Sequence, residues 1–282
     1  MLLYHYTDQN GFIGIIENKQ LWATKIQYLN DSKEFYLAFE FAKKILQDKL
    51  PLADNDNCKA RIKRLMANLS NITHINICVC SLSEIGDLLS QWRGYSNKQG
   101  GYSIGFDVEE LKIMAKKNNY RLEKCIYDEN EQISLIKKII DETLNIFISY
   151  EEPNPQYPEY SSKSSEYFKE RIISSAPLIK SKTFSEEQEW RLISSSGISL
   201  EKLSYRPGTS MLIPYHKIKF RDDFWNIIKQ VIVGHTPHLE LALNSTDSFI
   251  YNQFYTNKYL ISKESDFSSI NIMATKIPYR SW

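Results

Sequence analysis

The order in which two kinds of apolar run follow one another limits the folds open to this chain. Runs of strand length, LLYHYTD, LWAT, INICVCSLS, YSIGFDV and QVIVG, are separated by segments of helical period, yet the two kinds do not alternate steadily. Steady alternation is what a wound parallel sheet needs, so its absence favours an α+β fold. The chain carries no internal repeat, and 282 residues bury enough surface to fold without a structural metal or disulfide.

Local signals place the elements. Asp8 is an N-cap for a helix with Phe12, Ile15 and Ile16 on one face, and LWAT follows as a strand, so the opening unit is strand, helix, strand. LNDSKEFYLAFEFAKKILQDKL starts with a capping box, Asp31 to Glu34, and runs apolar at Phe35, Leu37, Phe39, Ala42 and Ile45. CKARIKRLMANLSN reads as a basic helix and INICVCSLS as a buried strand. DLLSQWRGYS makes a short helix, NKQGG a turn, and YSIGFDV a strand whose Gly105 permits the close approach of another group. Residues 121–127 are expected as a strand, 130–150 as an amphipathic helix and 151–165 as an exposed loop rich in Pro, Ser and Tyr. SEEQEWRLISS reads as a helix edge entering a strand, QVIVGHTPHLELALN as strand, turn and helix, and SINIMATKIPYR as a final strand.

Lys and Arg number 35 against 34 Asp and Glu, so no global field draws the protein to nucleic acid or to an anionic membrane. The run Lys59, Arg61, Lys63 and Arg64 is a solvated face or, at most, a local patch. The four cysteines form no CxxC pair; Cys78 and Cys80 share a strand face and read as buried free thiols. No membrane span and no signal peptide are apparent, so a soluble cytoplasmic protein is expected.

Four stretches carry candidate chemistry. On the first strand His5 and Thr7 share a face, where they can bind the hydroxyls and amides of a nucleotide, or His5 can simply be satisfied locally. Asn30 and Asp31 open a helix and can also touch a ligand. Trp92, Arg93 and Tyr95 sit on one short element before Gly100, Gly101 and Tyr102; a ring to stack on a base and an arginine for a pyrophosphate suit a dinucleotide, while Trp92 at helical spacing from Leu88 and Leu89 also suits a core. In EEQEWRL, Glu187 and Glu189 alternate with Gln188 and Trp190 on an expected strand, putting two carboxylates on one face. Such a carboxylate stabilises an oxocarbenium-like transition state or holds a ribose hydroxyl; the structural alternative is a surface ion pair with Arg191 or a lysine. GxSxG, HExxH and GxxxxGK[ST] are absent, and His235 and His238 have no carboxylate ligand near them in sequence; no metal is expected.

Taken in order, LYHYT, LWAT, LNDSKE, CSLSE, QWRGYS, GGYSIGFD, EWRL, VIVG and KIPYR resemble the bacterial domain of unknown function 2971 family over nearly the whole chain, which implies a single domain over 1–282. More distantly, that family resembles the ADP-ribosyltransferase fold, with a split β-sheet core and surrounding helices. The resemblance implies NAD as co-substrate: His5 on the adenosine-side ribose, Tyr95 or Tyr102 on nicotinamide, and Glu189 as the catalytic carboxylate. Thr7 and Arg93 complete the expected NAD contacts, and Asn30, Asp31, Trp92 and Arg191 the substrate contacts. The implied protein is an ADP-ribosyltransferase, a toxin or phage-defence effector acting on nucleic acid or protein and governed by a cognate inhibitor or sensor. The alternative is a non-catalytic module that binds a nucleotide or a nucleic-acid end; a nuclease or glycosidase using Glu187, Glu189 and Asp31 fits least.

Overall fold

A computed structural model describes residues 1–29, 34–70, 76–96, 100–150, 163–220, 224–258 and 270–278. Asn30 and Asp31, the expected capping box and most of the 151–165 loop lie outside them.

The first half of the chain runs β1 (Leu2–Asp8), α1 (Gln9–Asn18), β2 (Gln20–Lys25), α2 (Glu34–Lys49), α3 (Asp56–Ser70), β3 (Cys78–Ser83), α4 (Leu89–Tyr95), β4 (Gly101–Asp107), α5 (Val108–Lys117), β5 (Tyr120–Lys124) and α6 (Glu129–Tyr150). The second half runs α7 (Lys163–Ser175), β6 (Glu189–Ser194), β7 (Ser204–Pro207), β8 (Leu212–Lys219), α8 (Phe224–Ile227), β9 (Ile228–Val233), α9 (Leu239–Lys258) and β10 (Asn271–Ala274). The order is the expected irregular α+β one. Asp8 caps α1 by accepting from the Gly11 amide at 2.8 Å.

The strands join in one open sheet, ordered β10-β9-β4-β1-β3-β2-β8-β7, with β6 and β5 branching from β3. Pairing explains the branch. β6 runs along one edge of β3 from Val79↔Ile193 to Ser83↔Glu189, so β1 and β2 must share the other edge. There β1 pairs only at Tyr4↔Ser83, and β2 at Thr24↔Val79 and Lys25↔Cys78. The middle of that edge faces neither strand, and β1 and β2 leave it as a fork.

Alternation then divides the sheet into two faces. Leu3, Leu21, Cys78, Cys80, Leu82, Ile104, Phe106 and Leu192 lie on one, packed with apolar residues of α1, α5, α8 and α9. Val79 and Ile193 lie on the other, under α2, α3, α6 and α7. A smaller cluster of Tyr6, Trp92 and Ile232 forms further along the second face. Each fully buried Leu or Phe in these clusters contributes about 1.5–3 kcal/mol.

Three expectations are corrected. β5 stops at Lys124 because Cys125 bonds to the Glu189 carbonyl and Ile126 then turns to Leu178, after which Asp128 caps the next helix. Residues 163–165 are the first turn of α7, with Ser164 and Ser165 buried beside the turn that leads to core residue Phe168. The last strand ends at Ala274, where Asp87 captures the Thr275 hydroxyl at 2.5 Å and the Lys276 amide at 2.7 Å. Among the described residues no helix is long and apolar enough to cross a membrane.

Candidate functional site

Between the two clusters on the second face the sheet is polar. The apolar rows stop at Val79↔Ile193, and the next rows in register are Ser81↔Arg191 and Ser83↔Glu189. Tyr4 follows, in register with Ser83 and Gly105, and the Tyr6–Trp92 cluster begins beyond it. A strip of hydroxyl and charged groups thus crosses the centre of a sheet whose flanks are dry.

Its centre is an ion network. Glu189 Oε1 accepts from Arg191 Nε at 2.8 Å and Oε2 from Nη2 at 3.1 Å, a bidentate pair. Lys180 Nζ donates to the same Oε2 and, at 2.6 Å, to Glu187 Oε2. Arg191 Nη1 reaches the Pro177 carbonyl at 2.8 Å, and the Glu189 amide donates to the Tyr127 hydroxyl at 2.9 Å. Glu189, Arg191 and Lys180 are buried. The expected surface ion pair is therefore a buried one. Burial alone pushes the Glu189 carboxyl upward, but Arg191 and Lys180 outweigh it and hold the pKa at about 2.

Glu187 and Glu189 do not alternate along a strand. Ser181 caps a 3₁₀ turn over Lys182–Glu187, Gln188 takes the left-handed conformation at φ 43°, and the strand begins only at Glu189. The two carboxylates converge through Lys180 rather than through strand period. Trp190 does take the opposite face, against the first-face core.

Tyr95 lies close enough to this network to feel its charges. Burial and the charges of Glu189 and Glu187 push its hydroxyl up to about 12, although the residue as a whole is 42% exposed. Part of the side chain therefore stays exposed. Tyr102 is elsewhere: it pairs with Thr7 across β1 and β4 and stacks on Phe12 at 4.0 Å, on the face opposite Glu189. Thr7 lies with it, its hydroxyl where a side chain at position 11 would sit, which is why Gly11 opens α1.

His5 sits in the fork. Its Nδ1 lies 3.0 Å from the Ser81 carbonyl and 3.8 Å from Cys80 Sγ. A carbonyl only accepts, so Nδ1 carries the hydrogen and the neutral ring keeps Nε2 as an acceptor. Burial lowers its pKa, the bond to Ser81 opposes this, and the charge of Arg206 lowers it further. His5 and Arg191 thus flank the same residue, Ser81, from opposite edges of β3, with their strands about 10 Å apart. His5 shares the first face with Leu3 and Thr7, opposite Glu189, and meets the strip only at the Ser81 carbonyl in the fork.

The remaining candidates separate. Trp92 is buried, donates to Asp87 at 2.7 Å and packs edge-on to Tyr6 at 4.9 Å, a core role. Arg93 is exposed on the last turn of α4. Gly105 does admit a close neighbour, the Tyr4 ring, 2.8 Å from where its Cβ would be. A cavity of about 520 Å³ lies beside the network, lined by Phe41, Tyr127, Gln132, Lys182 and Phe184 among others.

Sequence reasoning missed Lys180, Tyr127, Thr24 and Arg206. Lys180 and Arg206 sit in no motif: the turn over Lys182–Glu187 brings Lys180 to Glu187 and Glu189, and strand pairing distant in sequence brings Arg206 to Thr24. Arg206, on β7, reaches across β8 to donate from Nη2 to the Thr24 hydroxyl at 3.1 Å.

The class defined by this architecture is an α+β protein with a polar strip across the middle of its sheet. Residues 91–192 match the model of a family described as a protein of unknown function (DUF2971). The matched stretch carries Tyr95, Lys180, Glu187, Glu189 and Arg191, while His5, Thr7 and Arg206 fall outside it. No curated protein and no solved structure matches the chain.

Proposed function

We propose that the strip is a site for NAD and that the protein transfers ADP-ribose from NAD to a nucleic-acid or protein acceptor. The observation that carries this reading is an ionised, immobilised carboxylate with a half-exposed tyrosine close to it on the second face, and a neutral histidine that reaches the Ser81 carbonyl from the first face through the fork. Tyr95 offers its ring to nicotinamide, and His5 offers Nε2 to a ribose hydroxyl.

Glu189 is the carboxylate that would face positive charge growing on the nicotinamide ribose. In the structure two cations neutralise it, so one must be given up first. Lys180 already bonds to Glu187, and passing wholly to Glu187 would leave Glu189 Oε2 with only the longer bond from Arg191 Nη2, without leaving an ammonium unpaired. The bond from ribose C1′ to nicotinamide nitrogen then breaks, nicotinamide keeping the electron pair. An acceptor nucleophile attacks C1′ and loses its proton to water.

Glu189→Gln is expected to cut nicotinamide release by about 10²–10³ while leaving NAD affinity within a few-fold, and the binding measurement also shows that the variant is folded. Undiminished release would remove Glu189 from the reaction. A second reading, a non-catalytic nucleotide-binding module, is favoured by one observation: both Glu189 oxygens are already occupied. Nucleotide binding without nicotinamide release, with any acceptor, decides for the module.

A further inference from the structure

Two arginines on this sheet use the same edge of the guanidinium in unlike ways. Arg191 turns its Nε and Nη2 hydrogens onto the carboxylate of Glu189. Arg206 turns Nη2 onto a neutral hydroxyl, Thr24 Oγ1, and its Nε is buried with no hydrogen-bond partner. Among the described residues no carboxylate pairs with it. A guanidinium is always charged, so this charge cannot be removed by losing a proton. Burying its Nε–H without an acceptor has a cost that an arriving anion would offset.

The surroundings fit an anion. Thr24 accepts from Arg206, which leaves its own hydroxyl hydrogen to donate. Thr24 is where β2 parts from β3, opposite Val79, so the bond from Arg206 to its hydroxyl sets the guanidinium at the mouth of the fork. Arg206 as a whole is half-buried, while its Nε and Thr24 are buried, so the edge is screened from solvent.

We propose that the fork is a phosphate subsite, in which the Nε–Nη2 edge of Arg206 and the hydroxyl of Thr24 bind the phosphate of a nucleotide. The proposal deepens the nucleotide reading and rests on it for the identity of the ligand. It takes the pyrophosphate role from Arg93, which stands exposed on α4, and leaves Nε2 of His5 for the neighbouring sugar.

Calorimetric titration of the full chain with ADP, adenosine and inorganic phosphate tests it. ADP is expected to bind at least about tenfold more tightly than adenosine, since charge-assisted bonds of this kind are each worth that factor or more. Arg206→Ala should abolish the preference, and Arg206→Lys, with a point charge and no fork, should restore only part of it. Inorganic phosphate should compete with ADP in the wild type and not in Arg206→Ala. Should Arg206→Ala fail to fold, Thr24→Val serves instead: weaker ADP binding with adenosine unchanged. ADP and adenosine binding alike, no detectable ADP binding, or a preference that survives both variants overturns the subsite. Glu189→Gln separates the two readings: ADP affinity within about twofold of wild type, with no nicotinamide released by either protein, sinks the transferase and leaves the subsite standing.

Discussion

Glu189 joins stability and function in one side chain. Its carboxyl is held at about 2, below the ordinary carboxylate value of 4.5. A group whose pKa is depressed on folding contributes stability above its unfolded pKa and loses it as pH falls through the folded one. The protein should therefore lose about 3 kcal/mol through this residue between about pH 5 and pH 2. Chemical denaturation at pH 7 and pH 3 checks this: Glu189→Gln should be less stable at pH 7 and show a flatter dependence, and an unchanged slope would mean that the network is not formed. The carboxylate was legible as a candidate from EEQEWRL, and Arg191 stood beside it in sequence. Lys180 was not, because a lysine in LIKSK looks like any solvated one until the turn over residues 182–187 folds it back.

Among the elements, α4 and the segment before it decide where Tyr95 sits. Tyr6 donates to the Ile85 carbonyl at 2.7 Å and accepts from the Leu88 amide at 3.0 Å, pinning the entry to the helix. Asp87 takes Trp92 Nε1, the Thr275 hydroxyl and the Lys276 amide, tying α4 to the end of β10. Asp87→Ala leaves the indole N–H of a buried tryptophan unpaired, and we expect a loss of about 2 kcal/mol in denaturant unfolding, with faster hydrogen exchange at residues 275–277. Equal stability and exchange would show that the tie is incidental. α4 itself could be read from DLLSQWRGYS, and the central strands from their short apolar runs. β7 and β8 could not: SYRP and LIPYHKIK form a hairpin at the edge of the sheet, each with a proline and neither with clean alternation. Arg206 was missed along with them.

At the scale of the molecule, one pairing choice builds the proposed site. β6 takes a whole edge of β3, so β1 and β2 divide the other, and the carbonyl of Ser81 is left for His5. The apolar rows on the same face end on either side of Ser81 and Ser83, which leaves the strip polar. Sequence patterning located β1, β2, β3 and β6 separately. Which strand lies beside which is a long-range matter that period and capping do not encode, and so Tyr95 and Tyr102 looked equivalent until the sheet placed them on opposite faces. The same topology sets His5 at one edge of β3 and Glu189 at the other, on opposite faces that communicate through the fork. A structure of the protein with NAD bound tests this most directly. The account predicts ligand lying across the row of Ser81 and Arg191, its phosphates at Arg206 and its nicotinamide end against Tyr95. NAD bound elsewhere, against Tyr102 and Phe12 and away from Glu189, or in the groove of Tyr251 and Tyr255 on α9, would contradict it.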